Sequence, residues 1–436
     1  MTAAAIMVTS SFDVFLVIQA GANFRFCQIA TLPLLALAFL RIRDRKILPT
    51  LGLGPLLLWL AFQLIFFPVT DFWPKSVGYC FWLLLDIGLI FSLVQVFGDD
   101  RRRIQTLIRW YAISFAIVAA FAILQFFLPL FGYPSPFVTE WWIKDQLARA
   151  NGFSYEPSYL GTYLLIGFVF VGALVNKPER VLNRNLLRSV YWLCALGIIV
   201  SSSRMALVFM FLAIALRHFG RWLRVTRDLF QRRFVKANIL ALIPSCFLVM
   251  IAAVLVTVGA TVWERNPAAV LLFLNGTGVS DTAAHSVIER ESAFSDTLTV
   301  FAEHPFVGES LGGVSSGIAA LHAYTVRSFE DSKPFEGMNI FAEALAASGI
   351  IGIVPFLWFL IETTAKPLNI ARHVSPPDSV LIRALVRALL FAWAILQFNQ
   401  NILRPYLWVH LAVLAAVCAA AERLETPQDT RVPGMC

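Results

Sequence analysis

Long apolar runs recur along this chain from end to end, and short polar or basic segments separate them. Each run is continuous rather than alternating, which is typical of membrane-spanning helices and not of the strands of a β-barrel. A run of about 20 apolar residues can cross the hydrocarbon of a bilayer. On this rule the pattern predicts about twelve spans, near residues 3–20, 25–41, 50–68, 76–97, 104–131, 159–175, 188–202, 205–220, 237–262, 339–362, 380–398 and 405–421.

The spacing of these runs predicts an all-α, polytopic membrane protein with four parts. Residues 1–262 form an N-terminal transmembrane bundle of about nine spans. A long polar loop occupies 263–337, further spans occupy 338–421, and a tail follows at 422–436. The apolar runs do not alternate apolar and polar residues as β-strands do, so the whole chain is interpreted as helical.

The long loop is predicted to contain structure of its own. The stretch at 289–305 reads ERESAFSDTLTVFAEHP and places Phe294, Leu298 and Phe301 on one face at helical spacing. That pattern indicates an amphipathic helix that lies on the membrane surface or caps the bundle, and Pro305 ends it. The glycines of GESLGG, at 308–313, mark a tight turn with close backbone approach.

Composition and charge agree with the membrane class. Hydrophobic residues make up 58% and charged residues 14% of the chain, whereas a soluble domain carries about 25% charged residues. The net charge of +8 does not indicate a nucleic-acid partner, because most basic residues lie in alternate short loops. Taking those loops as cytoplasmic places both termini inside and the long loop outside. Neither the histidines nor the cysteines show the spacing of a metal site.

Glu156 is the first candidate functional residue. The stretch RANGFSYEPSYLG, at 149–161, leads from a polar run directly into a span. Pro157 suits the first turn of a helix, so Glu156 stands at a helix N-terminus, where the dipole favours a negative charge. A carboxylate there could orient or deprotonate a substrate hydroxyl. The alternative is a helix cap paired with Arg149.

Three arginines are candidate ligands of an anionic substrate. Arg204 ends the SSSR segment between two short spans, where a guanidinium offers a bidentate fork for phosphate oxygens. The alternative is an arginine whose side chain reaches the lipid headgroups. Arg290 begins the predicted amphipathic helix, and its alternative is a paired surface charge. Arg404 belongs to an outer polar cluster that follows Asn399.

The segment FEGMNIFAEALAASGIIG, at 335–352, carries the second group of candidates. Glu336 and Asn339 lie at the mouth of a predicted span, and Glu343 lies about one to two turns deeper. A carboxylate inside a membrane span is by default a functional-site hypothesis. A single hydrogen bond to Gln397 or Asn399 would make Glu343 structural instead.

The order and spacing of these motifs resemble the bacterial O-antigen polymerase and O-antigen ligase family. The motifs are RANGFSYEPSYLG, SSSR before a span, an arginine followed by EHPFVGESLGG, and MNIFAEALAASGIIG. Members of this family are multispan inner-membrane glycosyltransferases. The resemblance implies an undecaprenyl-pyrophosphate-linked glycan as donor, bound at the periplasmic face without a metal or other cofactor. It also implies an inverting transfer in which Arg204 and Arg290 hold the pyrophosphate.

Within this family the motifs resemble polymerases more than ligases. Ligases usually show a histidine directly before the asparagine that opens the last large span, and this chain has Met338 before Asn339. The Glu-Pro-Ser run also resembles polymerase members. We therefore expect a polysaccharide polymerase in which Glu156 and then Glu336 are the catalytic candidates. The expected substrate-binding residues are Arg149, Arg204, Arg290, Asn339 and Arg404.

Two alternatives of function stay open at this point. The first is an O-antigen ligase that transfers glycan to lipid A-core or to a protein. The second is a secondary transporter that uses Asp13, Asp86 and Glu343 as a proton relay, although transporters carry paired charges at the midplane of matching halves. The expected partners are the lipid-linked oligosaccharide and the bilayer, with a chain-length regulator and a flippase as further candidates.

Overall fold

The computed structural model describes residues 1–19, 23–44, 46–175, 177, 182–230, 282–398 and 402–425. These residues form helices and two short β-hairpins. The elements are α1 (Thr2–Thr9), β1 (Val17–Gln19), β2 (Asn23–Arg25), α2 (Phe26–Asp44), α3 (Leu53–Phe66), α4 (Trp73–Phe97), α5 (Arg101–Phe127), β3 (Glu140–Ile143), β4 (Leu147–Arg149), α6 (Pro157–Leu174), α7 (Arg184–Ser201), α8 (Arg204–Phe230), α9 (Thr282–Glu303), α10 (Val314–Leu321), α11 (Phe329–Ser332), α12 (Ile340–His373), α13 (Pro376–Ile395) and α14 (Pro405–Glu425).

The predicted class, an all-α multi-pass membrane protein, is confirmed. In the described part of the chain, seven helices are long and apolar enough to cross a membrane: α2, α4, α5, α6, α12, α13 and α14. The count of about twelve spans and the four-part division stay predictions. The predicted span near 237–262 lies outside the described residues.

The predicted first span, near 3–20, is wrong. Helix α1 ends at Thr9, and the antiparallel β1–β2 hairpin occupies the end of the same apolar run. Between them the N–H groups of Asp13 and Val14 both donate to the carbonyl of Phe153, at 2.8 and 3.1 Å. The helix ends here because the Asp13 carboxylate binds Arg25 and Arg404. A helix that continued across the membrane would place this charge in lipid.

Helix α6 lies at the centre of the bundle, between α5, α7, α8 and α13. Small residues allow its neighbours to approach closely, as is usual between helices in membranes. A Cβ on Gly161 would lie 2.7 Å from the Cβ of Ser203, and a Cβ on Gly167 would lie 2.5 Å from the ring of Phe115. The start of α8 is therefore packed against the first turns of α6.

Helix α12 is broken at Gly349, whose φ of 59° lies in the left-handed region. The segment after α9 fills the break with its backbone. The N–H of Glu309 donates to the carbonyl of Ala346 at 2.9 Å, and the N–H of Ile350 donates to the carbonyl of Pro305 at 2.8 Å. The backbone groups released by the break are thus satisfied, as burial in a membrane protein requires. The prediction of a close-approach turn at GESLGG is confirmed.

Polar side chains of α3 fix the same break. The amide of Gln63 donates to the Oγ of Ser348 at 2.8 Å, and its oxygen accepts from the N–H of Leu311 at 2.7 Å. Trp59 donates to the same Ser348 Oγ at 2.9 Å. These groups are buried, so buried hydrogen bonds join both the loop and the broken helix to α3.

The predicted amphipathic helix exists as part of α9, and Phe301 of its predicted apolar face packs against the core. Whether that face lies on the membrane surface or caps the bundle stays a prediction. Phe294 and Leu298 are 42% and 38% exposed, whereas Thr297 and Val300 are buried. The reason is the partner helix, because a Cβ on Gly317 of α10 would lie 2.9 Å from Val300. That glycine leaves the space that Val300 occupies, so the helix turns its β-branched side toward the bundle.

The break in α12 yields a first prediction. A Cβ at Gly349 would meet the backbone of Phe306 and would also be strained by the positive φ. We expect Gly349→Ala to destabilise the protein by about 3 kcal/mol, measured as a fall in the melting temperature in detergent. The control is Gly54→Ala, where a Cβ meets nothing within 4 Å and the change should stay within about 1 kcal/mol. Equal melting temperatures for the two variants would contradict this account of the break.

Candidate functional site

Three helices begin beside one another at one end of the bundle. Glu156 directly precedes α6, Glu336 comes shortly before α12, and Arg404 directly precedes α14. The guanidinium carbon of Arg404 lies 3.7 Å from the centroid of the Tyr159 ring in the first turn of α6. The phenol of Tyr159 is also within electrostatic reach of both Glu156 and Glu336. We call this group of residues the helix-start cluster.

Arg404 is the buried cation of the helix-start cluster. The residue is only 8% exposed, and its Nη1 donates to Oδ2 of Asp13 at 3.0 Å. Within the described part of the chain its Nε–H has no hydrogen-bond partner. A buried N–H donor without a partner is costly, and it is a suitable donor for an oxygen of an anionic ligand.

Asp13 joins Arg404 to a second arginine. Arg25 donates from its Nε to Oδ1 of Asp13, and its guanidinium lies 5.6 Å from the centroid of the Trp82 ring. Burial alone would raise the pKa of Asp13, but the charges of Arg404 and Arg25 hold that pKa below its ordinary value. One ionised carboxylate therefore faces two guanidiniums, and this part of the cluster carries an excess of positive charge.

Glu336 is held by two side chains of α4. Its Oε1 accepts from the hydroxyl of Tyr79 at 3.0 Å and from the ammonium of Lys75 at 3.2 Å. Lys75 is 1% exposed and also donates to Ser315 at 2.9 Å. Burial alone would raise the pKa of Glu336, but Lys75 and Arg404 hold that pKa below its ordinary value. Glu336 is therefore an ionised and well-fixed carboxylate.

Glu343 lies deeper in α12 and is buried. No described residue donates a hydrogen bond to its Oε2. The amide of Gln397 donates instead to the carbonyl of Trp393 at 2.9 Å, so the structural alternative that pairs Glu343 with Gln397 is wrong. Asn399, the other partner considered, lies outside the described residues.

Asn339 has a clear positioning role. Its Oδ1 accepts from the N–H groups of Phe341 and Ala342, both at 3.0 Å, which makes it the N-cap of α12. Its amide donates to the carbonyl of Gln397 at 3.0 Å. The side chain thus connects the start of α12 to Gln397, two residues after the end of α13. Contact of Asn339 with substrate stays a prediction.

Glu156 occupies the position predicted for it, directly before the helix that Pro157 opens. The carboxylate is half-buried and accepts from the hydroxyl of Ser158 at 2.8 Å. The ammonium of Lys333 lies 5.7 Å from the ring of Tyr155, the residue before Glu156. The segment that leads to Glu336 therefore reaches the segment that leads to Glu156, and the two candidate acids share one end of the bundle.

Arg149 does not pair with Glu156, so that alternative is wrong. It pairs with Glu140, its cross-strand neighbour in the β3–β4 hairpin, and lies 5.9 Å from the centroid of the Trp142 ring. The hairpin pairs Arg149 with Glu140, although the Nε of Arg149 has no hydrogen-bond partner among the described residues, and the Glu156 carboxylate is left to Ser158. A role of Arg149 in substrate binding stays a prediction.

Arg204 opens α8, directly after a turn at Ser202 with φ of 52°. Because Ser203 packs on Gly161, the backbone brings Arg204 to the first turns of α6, at the same end as the helix-start cluster. The residue is half-buried. Arg290 lies within α9, but its side chain is outside the described part of the structure, so its role stays a prediction.

Residues 189–357 match the family model described as O-antigen ligase. The family resemblance is confirmed. The matched stretch includes Arg204, Arg290, Glu336 and Asn339, whereas Glu156 and Arg404 lie outside it. No individual curated protein matches the chain. The match indicates a glycosyltransferase-like activity of the O-antigen ligase or polymerase type, and it does not distinguish these two reactions.

Sequence analysis missed several residues that contact the candidate site. Lys75, Tyr79, Tyr159 and Arg25 were not singled out, although each contacts a candidate residue. The available signal was a lone lysine at the start of an otherwise apolar run, since a charge at that position requires a partner. The identity of that partner, Glu336, depends on packing between helices that are distant in the sequence.

The Lys75–Glu336 pair yields a second prediction. We expect Glu336→Gln to cost about 3 kcal/mol at pH 7, because it leaves the Lys75 ammonium buried without a counter-charge. A carboxylate with a lowered folded-state pKa stabilises the protein above its ordinary pKa, here 4.5, and this contribution disappears as the pH falls through the folded-state value. The difference in melting temperature between wild type and variant should therefore narrow below pH 4.5.

The matched control is Glu330→Gln. Glu330 also pairs with a lysine, Lys333, but their side chains are 66% and 44% exposed, so its loss should cost less than about 1 kcal/mol at any pH. A difference between wild type and Glu336→Gln that is the same at pH 7 and at pH 4 would refute the assigned ionisation of Glu336.

Proposed function

We propose that the protein is an inner-membrane polysaccharide polymerase. It transfers a glycan from an undecaprenyl-pyrophosphate carrier onto a lipid-linked repeat unit at the periplasmic face. The observation that carries the proposal is the buried guanidinium of Arg404, which faces Asp13 and Tyr159 and whose Nε–H has no hydrogen-bond partner among the described residues. Its place in a chain with the O-antigen ligase match supports glycan transfer.

The leaving group requires positive charge. Breaking the bond between the anomeric carbon and the pyrophosphate oxygen leaves the electron pair on that oxygen, and fixed cations stabilise this charge without reorganising. Arg404 is fixed by Asp13 and by the Tyr159 ring. Arg204, at the start of α8, and Arg290, in α9, supply the further guanidiniums that bind the two phosphates. No metal ion is needed in this scheme.

The acceptor hydroxyl requires a carboxylate. Its proton passes to the carboxylate while its oxygen attacks the anomeric carbon from the side opposite the pyrophosphate, so the configuration inverts. Glu156 suits this role because it is half-buried and only Ser158 donates to it among the described residues. Glu336 is the second candidate, but Lys75 and Tyr79 already engage it and lower its basicity. We therefore propose that Glu336 orients the acceptor and holds Lys75 in place.

Two other functions are retained as alternatives. An O-antigen ligase would use the same leaving group with lipid A-core or a protein as acceptor, and Met338 in place of the ligase histidine favours the polymerase. A secondary transporter would need a relay of free acidic groups along the membrane. Asp86 and Glu343 each keep a carboxylate oxygen without a partner among the described residues, but Asp13, the third member of that relay, is bonded to two arginines at one end of the bundle. In the proposed polymerase, Arg149 and Asn339 act near the donor. A chain-length regulator and a flippase are its proposed protein partners.

The proposal predicts a specific glycan profile. In a strain that lacks the gene, rescue with Glu156→Gln or Arg204→Ala should leave material with a single repeat unit, because loss of one such group lowers the transfer rate by about 10²–10³. The matched controls are Glu330→Gln and Arg372→Gln, which alter exposed residues of the same types and should restore full ladders. The readout is gel electrophoresis of cell-surface polysaccharide.

Each other outcome has a defined meaning. Long chains that remain unattached in the Glu156 and Arg204 variants would indicate that the protein is a ligase and not a polymerase. Complete ladders from both variants, at wild-type levels of the protein, would remove these two residues from the mechanism.

A further inference from the structure

A cavity lies toward the end of α6 that is away from the helix-start cluster. It has a volume of about 780 Å³ and is enclosed by α6, α7, α8 and α13. On α6 it begins at Phe168 and extends to Gly172 and Ala173, and Lys177 follows directly after that helix. Gly172 is 15 residues along α6 from Pro157, which corresponds to about 22 Å. The cavity is therefore separate from the cluster around Arg404 and Glu336.

One wall of this cavity is apolar. Phe168 of α6, Ile214 of α8, and Leu390 and Phe391 of α13 line it. Leu390 is 49% exposed and belongs to a candidate membrane span. An apolar surface of this kind, open to the cavity, suits a hydrocarbon chain rather than a small soluble ion.

Three basic side chains line the same cavity. Lys177, Arg217 and Arg387 line it, and none of the described lining residues is acidic. Arg217 is held by a hydrogen bond with Tyr191. The helix position of Arg387 is unusual, because it lies 11 residues inside α13, about 16 Å from the helix start, and no carboxylate among the described residues pairs with it. A charge within a span is costly unless a partner compensates it.

We propose that this cavity binds an anionic glycerophospholipid of the surrounding membrane. The lipid phosphate lies between Arg387, Arg217 and Lys177, and an acyl chain lies along Phe168, Ile214 and Leu390. Cations and an apolar wall in one cavity match the two halves of such a molecule, and basic pockets between transmembrane helices are typical sites of anionic headgroups. The lipid then supplies the counter-charge that no described residue gives to Arg387, and it fills the space between α6, α8 and α13.

The test measures lipid binding to the full-length, delipidated protein in detergent by native mass spectrometry. The probes are phosphatidylglycerol and phosphatidylcholine with identical acyl chains. We expect tighter binding of phosphatidylglycerol, and Arg387→Gln should weaken that binding about fivefold without changing the binding of phosphatidylcholine. The matched control is Arg372→Gln, an exposed arginine near the end of α12 that does not line the cavity and should bind like wild type.

A second variant keeps the charges and alters only the apolar wall. Leu390→Trp fills the space of the acyl chain from an exposed position, so it should weaken the binding of both lipids while its unliganded melting temperature stays close to that of wild type. Equal affinity of wild type for the two lipids would overturn the proposal, as would equal effects of Arg387→Gln and Arg372→Gln. Displacement of phosphatidylglycerol by a lower concentration of a polyprenyl phosphate would also overturn it and assign the cavity to an isoprenoid.

Discussion

Asp13 accepts hydrogen bonds from Arg25 and Arg404, and this triad connects the beginning of the chain to the start of its last helix. Burying three charges is tolerated only because each guanidinium has the carboxylate and an aromatic ring beside it. The triad stops the first apolar run from forming a span, and it holds Arg404 over Tyr159. The proposed chemistry depends on the orientation of the Nε–H of Arg404, which has no partner among the residues that the structure describes, and that orientation follows from these contacts.

The second constraint is the break in α12. A helix interrupted at Gly349 leaves backbone groups without partners, and the segment from Pro305 to Ser310 supplies those partners. The same segment leads into α10, whose Ser315 accepts a hydrogen bond from Lys75. Lys75 in turn holds Glu336. The break is thus connected, through a short series of buried polar contacts, to the carboxylate that faces the acceptor side of the proposed site.

These two constraints explain the division between what the sequence predicts and what it does not. The continuous apolar runs identify the membrane class, and Pro157 identifies the start of α6, because both signals are local. The Asp13–Arg404 contact joins residues 391 positions apart, so no local pattern contains it. Glu156 and Glu336 were found because a carboxylate at the mouth of a span is conspicuous. Ser158, the partner of Glu156, is local, whereas Tyr79 and Lys75, the partners of Glu336, are defined only by packing.

The differences between the sequence pattern and the structure have equally specific causes. Arg149 was considered a partner of Glu156 because the two are close in the sequence, but the β3–β4 hairpin turns Arg149 toward Glu140. The apolar face of α9 carries Phe294 and Leu298, which are exposed, whereas Val300 is buried. The absence of a side chain at Gly317 leaves the space that Val300 occupies, and no pattern within α9 itself contains that contact.

The central proposal is that Arg404 presents to a pyrophosphate its Nε–H, which has no hydrogen-bond partner in the described part of the chain. It is tested most directly by the equilibrium binding of a polyprenyl pyrophosphate to the full-length wild type and to Arg404→Lys. Lysine retains a positive charge beside Asp13 but lacks the Nε–H and the planar fork. The account predicts about tenfold weaker binding in the variant, since a hydrogen bond to a charged group contributes roughly that factor. Equal affinities, with both proteins folded, would contradict it.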